Sequence, residues 1–301
     1  MAKNICYQMT TSIDNGFKPG QDKHSAKAQN QDSDYKIYSY ASRSEMIDFA
    51  HRFSDFIKTN YPEIRQVKNI TIEHINSYLG SKTKVTQQTM QHEVACINKL
   101  QLCCNKKFGI SVDWKTGRIV PQVAIKQKRD IVFSDEQIRQ LKDYFSTKRD
   151  CYSKTAFFLG ERFALRASEI TKLQVRDINW KENTLHIHDS KGKRSRDIKI
   201  TEDDKKFLRE ITYGKSNKDR IIPLRADSIC AYLNRACKKL GFQDIVNART
   251  SFHCLRKYSI TKYYKDQLNQ KATPKVARQK SMDRLGHSKN RVDLRKTYIK
   301  V

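Results

Sequence analysis

The last fifty residues collect the side chains with the most chemistry to offer. FHCLRKYSITKYY, starting at Phe252, puts His253 and Arg256 three apart, so on a helix they share one face. RLGHSKNRVDLRKTYIKV then adds His287 after Leu285-Gly286, and Tyr298. A guanidinium offers a planar fork that fits two oxygens of one anion. An imidazole can carry a proton during a reaction. A phenol, whose ordinary pKa is about 10, becomes a nucleophile once its proton is taken. Singly, each residue has a plainer explanation: a solvated polar patch, a turn histidine, a half-buried aromatic. Their order along the chain carries more information than any one of them.

The chain has 301 residues, 60 Lys and Arg against 32 Asp and Glu, and a formal net charge of +28 spread along its length. That excess opposes compaction and favours a polyanionic partner, most often nucleic acid for a soluble chain. A generic basic protein of the ribosomal kind has a similar balance. Yet 38% apolar and 10% aromatic residues are enough for real cores. The eight cysteines form no C-x-x-C pair and have no histidine at zinc-finger spacing, so they are expected reduced and packed. No signal peptide and no apolar run near 18 residues is present, which gives no support for export or membrane spanning.

H-x-x-R, then L-G-H, then Tyr resembles the C-terminal signature of the tyrosine recombinases, the phage-integrase family. The resemblance implies an upstream Arg followed three residues later by an acidic residue, just after an apolar helix. Arg166 and Glu169 in AFFLGERFALRASEI fit that pattern; Arg162 is a rival without the downstream match. It also implies a lysine on a β-hairpin, for which Lys191 in SKGKRSR is the best match and Lys193 the alternative. The implied catalytic set is Arg166, Lys191, His253, Arg256, His287 and Tyr298. In these roles Arg166 and Arg256 hold phosphate oxygens, Tyr298 attacks with His253 as base, Lys191 protonates the leaving 5′ oxygen, and His287 hydrogen-bonds the phosphate. Glu169 is expected to orient Arg166 or its neighbours, or else to be a surface residue. Tyr298 lies eleven positions after His287, whereas in many members of the family the spacing is nine. Tyr258, Tyr263 and Tyr264 lie on the wrong side of His287.

The elements that must position these groups can be read in outline. Residues 1–34 are polar and lack periodicity, and are expected to be a flexible arm. Residues 35–112 turn helical: Ser44 is a candidate N-cap before Met46, Phe49, Phe53 and Ile57, Thr71 opens a short helix stopped by Gly80, and Thr86 opens a longer one ending near Gly109. A helical core-binding (SAM-like) DNA-binding domain occupies this place in the family. Residues 113–132 read as a basic linker. Residues 133–301, the implied catalytic domain, open on a capping box at Ser134 and Gln137, and TLHIHDSKGKRSRDIKI alternates like a hairpin. The expected fold is mainly α with a small antiparallel β-hairpin or sheet.

The resemblance implies a site-specific recombinase or integrase of a mobile element. It would cut and rejoin DNA through a 3′-phosphotyrosine, with no cofactor, metal or ATP; no carboxylate cluster with Mg²⁺ spacing is visible. The implied partners are double-stranded DNA at specific recombination sites and a homo-tetramer assembled there, with an accessory DNA-bending or excision factor as a further possible partner. With residues 299–301 alone following Tyr298, a monomer is expected off DNA. The implied location is the cytoplasm. A type IB topoisomerase-like activity, or a DNA-binding protein without catalysis, are the alternatives.

Overall fold

The computed structural model describes residues 4–21, 34–115, 131–190, 194–248, 251–286 and 298–299. The chain divides into two compact units, residues 1–127 and 128–301.

The first unit is helical. Helix α1 (Ile5–Gly16) is capped by Asn4, whose Oδ1 accepts from Tyr7 N at 2.8 Å. Ile5, Met9 and Ile13, four apart, bury one stripe of it in the core. The expectation of a flexible arm over residues 1–34 is therefore corrected for this segment. Ile5, Met9 and Ile13 recur at helical spacing, and burial of that stripe holds the helix. Helix α2 (Tyr40–Asn60) begins five residues before the start expected from Ser44, because Ser39 Oγ accepts from Ser42 N. Helix α3 (Ile72–Gly80) starts after Thr71, as expected. Helix α4 (Gln87–Phe108) starts after Thr86 and ends at Gly109, whose φ of 61° is left-handed. Phe49, Phe53, Ile75, Tyr78, Ile97 and Leu100 fill the space between them. Trp114 belongs to this core: it is fully buried, and its Nε1 donates to Ile70 O at 2.9 Å. The expected linker at 113–132 thus begins inside the first core, and Ile131 and Val132 pack against the second.

The second unit begins with α5 (Asp135–Ser146), closed by the expected capping box, Gln137 N to Ser134 Oγ and Ser134 N to Gln137 Oε1. Helix α6 (Tyr152–Phe163) leads through a sharp bend into the single turn of α7 (Ala167–Ile170). A three-stranded antiparallel sheet follows, in the order β1 (Ile178–Asn179), β2 (Thr184–Ser190), β3 (Arg194–Lys199). Pairing Leu185 with Ile198 and Ile187 with Arg196 sends these residues to one face. Helices α8 (Glu202–Thr212), α9 (Ala226–Lys239), α10 (Gln243–Asn247), α11 (Ser251–Asn269) and α12 (Pro274–Leu285) complete the unit. Phe252, Cys254, Leu255, Tyr258 and Ile260 are buried on different sides of α11, which makes it the central helix. Gly160 lets α6 approach it: a Cβ there would lie 2.8 Å from Phe252 Cζ. The fold is mainly α with a small antiparallel sheet. No helix among the described residues is long and apolar enough to cross a membrane.

Candidate active site

His253 and Arg256 stand one turn apart on α11, with Leu255 and Phe252 anchoring the helix behind them. Arg166 reaches the same place by a different route. After α6, Ala164 adopts a left-handed conformation (φ 53°), unusual for a residue with a Cβ, and Leu165 is buried as an anchor. That bend brings Arg166 to the start of α7. Arg166, His253 and Arg256 then line one cavity of about 490 Å³, together with Ser168, Asn234 and Ser251.

Beneath the cavity, Glu169 organises the arginines. Its carboxylate accepts from Arg166 N at 2.9 Å and Arg166 Nη1 at 2.6 Å, which accounts for the three-residue spacing of the R-x-x-E motif. It also accepts from Arg196 Nη1 at 3.1 Å, Arg196 Nη2 at 2.9 Å and Arg256 Nη1 at 3.2 Å. Glu169 is 4% exposed, so the surface alternative is excluded. Burial alone would raise its pKa, but hydrogen bonds from Arg196 and the charges of Arg256 and Arg196 outweigh burial and hold the carboxyl well below the usual range. Three guanidiniums around one carboxylate leave a net charge of about +2 here (3 − 1).

Arg256 is 1% exposed. Its Nη1 donates to Ala164 O at 2.5 Å and its Nη2 to Leu285 O at 2.8 Å. Burial pulls its pKa down to about 9 against the attraction of Glu169, so it stays cationic at neutral pH. Its Nε has no hydrogen-bond partner among the described residues. A buried guanidinium with a spare donor, at the wall of a cavity, is suited to an anionic oxygen.

Tyr298 packs against His253 and Arg256, two of the residues that line the cavity. Its ring centroid lies 5.2 Å from that of His253, edge to face, and 5.9 Å from Arg256 Cζ. Ala164, Ile260, Met282 and Leu285 enclose it, and Thr261 Oγ1 donates to Tyr298 O at 3.2 Å. Of the rival tyrosines, Tyr258 donates to Asp135 at 2.8 Å, and burial and that carboxylate push its pKa up. Tyr264 is buried, and Tyr263 lies under Arg284, 4.6 Å from its Cζ. Arg162 pairs with Asp203 at 2.7 Å and is not among the cavity's lining residues. Lys191, Lys193 and His287 lie outside the described residues.

Sequence reading missed Arg196. It is nearly buried, donates from Nε to Arg284 O at 2.7 Å, and ties β3 to Glu169 and to the end of α12. The strand alternation gave a partial signal, since Arg196 shares the parity of the apolar Ile198 and Ile200, but its pairing with the inward-facing Ile187 and its partner Glu169 are set by the fold.

Residues 132–288, more than half of the chain, match the phage integrase family model. The chain is 23% identical over 213 residues to a tyrosine recombinase XerA of Saccharolobus solfataricus, covering 68% of this chain and 66% of that one. It is 23% identical over 208 residues to a shufflon-specific DNA recombinase of Escherichia coli, covering 67% of this chain and 50% of that one. The chain thus spans somewhat under two thirds and about half the length of these relatives. In fold it is similar to a lambda integrase tetramer bound to a Holliday junction, with a TM-score of 0.63 at 14% identity, covering 99% of this chain and 78% of that one. The family match, which covers more than half of the chain and includes Arg166, Glu169, His253 and Arg256, means that this chain belongs to the phage integrase, or tyrosine recombinase, family.

Proposed function

We propose that the chain is a site-specific tyrosine recombinase that cuts and rejoins DNA for the integration or excision of a mobile element, acting in the cytoplasm. The observation that carries this reading is the shared cavity of Arg166, His253 and Arg256, with the Tyr298 ring against the last two. The two guanidiniums would hold the non-bridging oxygens of one phosphodiester, where their charge matters most as negative charge grows in the five-coordinate transition state. The spare Nε of Arg256 supports that role. Tyr298 Oη would attack phosphorus as its proton passes to His253. The bond to the 5′ oxygen breaks, and Lys191, or Lys193, would protonate that oxygen. His287 would hydrogen-bond the phosphate. The product is a 3′-phosphotyrosine and a free 5′-hydroxyl; because the phosphoester is retained, a 5′-hydroxyl of another strand can reseal it without ATP.

The charge of +28 supports binding to double-stranded DNA through many phosphate contacts. The helical first unit, including α1, would contribute to that binding, and four copies would assemble on paired sites.

The test is a nicked suicide duplex carrying the recombination site, incubated with protein in EDTA and run on a denaturing gel. A covalent protein–DNA band absent in Tyr298→Phe is the expected result. A band lost in Tyr258→Phe or Tyr263→Phe instead would reassign the nucleophile. Site-specific binding without any band would mean a DNA-binding protein that does not cleave.

A further inference from the structure

The outer face of the β2–β3 ribbon carries a second constellation, on the side opposite Arg196. His186 and His188 alternate with the buried Leu185 and Ile187, so both imidazoles leave the sheet on the same face. Their ring centroids are 4.3 Å apart. Each ring is held by its own aspartate: His186 Nδ1 lies 2.6 Å from Asp197 Oδ1, directly across the ladder, and His188 Nε2 lies 2.7 Å from Asp177 Oδ1. Asp177 is itself buried and fixed, accepting from Gln174 N at 2.8 Å.

These contacts decide the tautomers. An ionised carboxylate only accepts, so the nitrogen facing it must carry the hydrogen. In the neutral rings the lone pairs therefore sit on Nε2 of His186 and Nδ1 of His188, and neither atom has a hydrogen-bond partner among the described residues. A carboxylate behind one ring nitrogen, leaving the other as a basic acceptor, is the arrangement that surrounds metal-bound histidines. It occurs here twice, on neighbouring rings. Two imidazoles bound side by side on a tetragonal ion, with metal–nitrogen bonds of about 2 Å, keep their ring centres about 4.5 Å apart.

We propose that His186 and His188 form a two-point binding site for a divalent transition metal that favours tetragonal nitrogen ligation, Cu²⁺ or Ni²⁺ before Zn²⁺. Asp197 and Asp177 act as positioning residues that set the ring tautomers. Among the described residues no group of three or more His, Cys, Asp or Glu is placed to hold a metal, so water or an outside ligand fills the remaining positions. The site faces away from Glu169 and takes no part in the strand chemistry proposed above.

Calorimetric titration of Ni²⁺ into the full-length reduced protein tests it. One equivalent is expected to bind, with at least tenfold weaker binding in His186→Ala and in His188→Ala. Asp197→Asn, an exposed change, is expected to weaken binding about 10- to 100-fold while leaving both histidines in place. Thermal unfolding without metal should be little changed in His186→Ala, whose partner Asp197 is exposed, which separates loss of the site from loss of the fold. His188→Ala also removes a partner of the buried Asp177 and is expected to melt lower. Equal Ni²⁺ binding by wild type and the His186→Ala/His188→Ala protein would overturn the proposal. So would loss of binding in His51→Ala or His92→Ala, since those rings neighbour Cys6 and Cys96 in the first unit.

Discussion

Arg256 Nη1 lies 3.2 Å from Glu169 Oε2, with both side chains out of contact with solvent. Glu169 is also shared by Arg166 and Arg196, so one carboxylate offsets the mutual repulsion of three guanidiniums. It fixes their positions while leaving the site positive.

Glu169→Gln keeps the shape and removes the charge. It strands buried guanidiniums, and the expected loss of unfolding free energy is about 3–5 kcal/mol. Urea denaturation of wild type and variant measures it.

The same carboxylate sets an acid limb. Its native pKa is held below the unfolded value of about 4.3. The stabilisation is therefore complete above that value and is lost as pH falls below it. Wild type should lose stability steeply below about pH 4.5, and Glu169→Gln less steeply. Denaturant midpoints measured from pH 3 to pH 7 would show the two curves converging in acid.

Arg166→Lys replaces a planar fork with a point charge and cannot hold two oxygens in one plane. Covalent-complex formation should slow by about 10²- to 10³-fold, the usual loss when one transition-state donor is removed. Binding of the intact duplex, which rests on many phosphate contacts, should change little. Single-turnover cleavage beside a filter-binding titration separates the two.

Gly286→Ala tests the support of Arg196. Gly286 has a φ of 71°, and an added Cβ would lie 3.1 Å from Arg196 Cδ and 3.2 Å from its Nη1. The variant should displace Arg196 from Glu169 and lower both stability and cleavage rate. Combined with Glu169→Gln it should add less than the sum of the single effects, because both act on one network.

Met9→Ala and Ile13→Ala test the place of α1. Both residues are fully buried, and each truncation should cost about 2–5 kcal/mol in unfolding of the first unit. A flexible arm would show no change in a thermal melt.

The H-x-x-R and R-x-x-E motifs were legible in the chain because each rests on contacts between near neighbours. H-x-x-R puts two groups on one helix face, and R-x-x-E is the spacing at which a glutamate folds back on the turn that starts α7. The caps at Thr71, Thr86 and Ser134 and the alternation of the hairpin are likewise contacts between near neighbours. Helix α1 escaped because the polar run of residues 18–34 dominates the composition of its segment, and the packing surface that holds its buried Ile5, Met9 and Ile13 comes from residues far along the chain. Arg196 and the partnership of His188 with Asp177 escaped for the same reason, since strand pairing and burial decide them. Sequence alone determined which residues the chain has to offer for phosphate chemistry and the order of its elements. Only the tertiary structure decided that Glu169 is buried among three arginines and that Tyr298 rests on His253, because desolvation and long-range packing have no local signature.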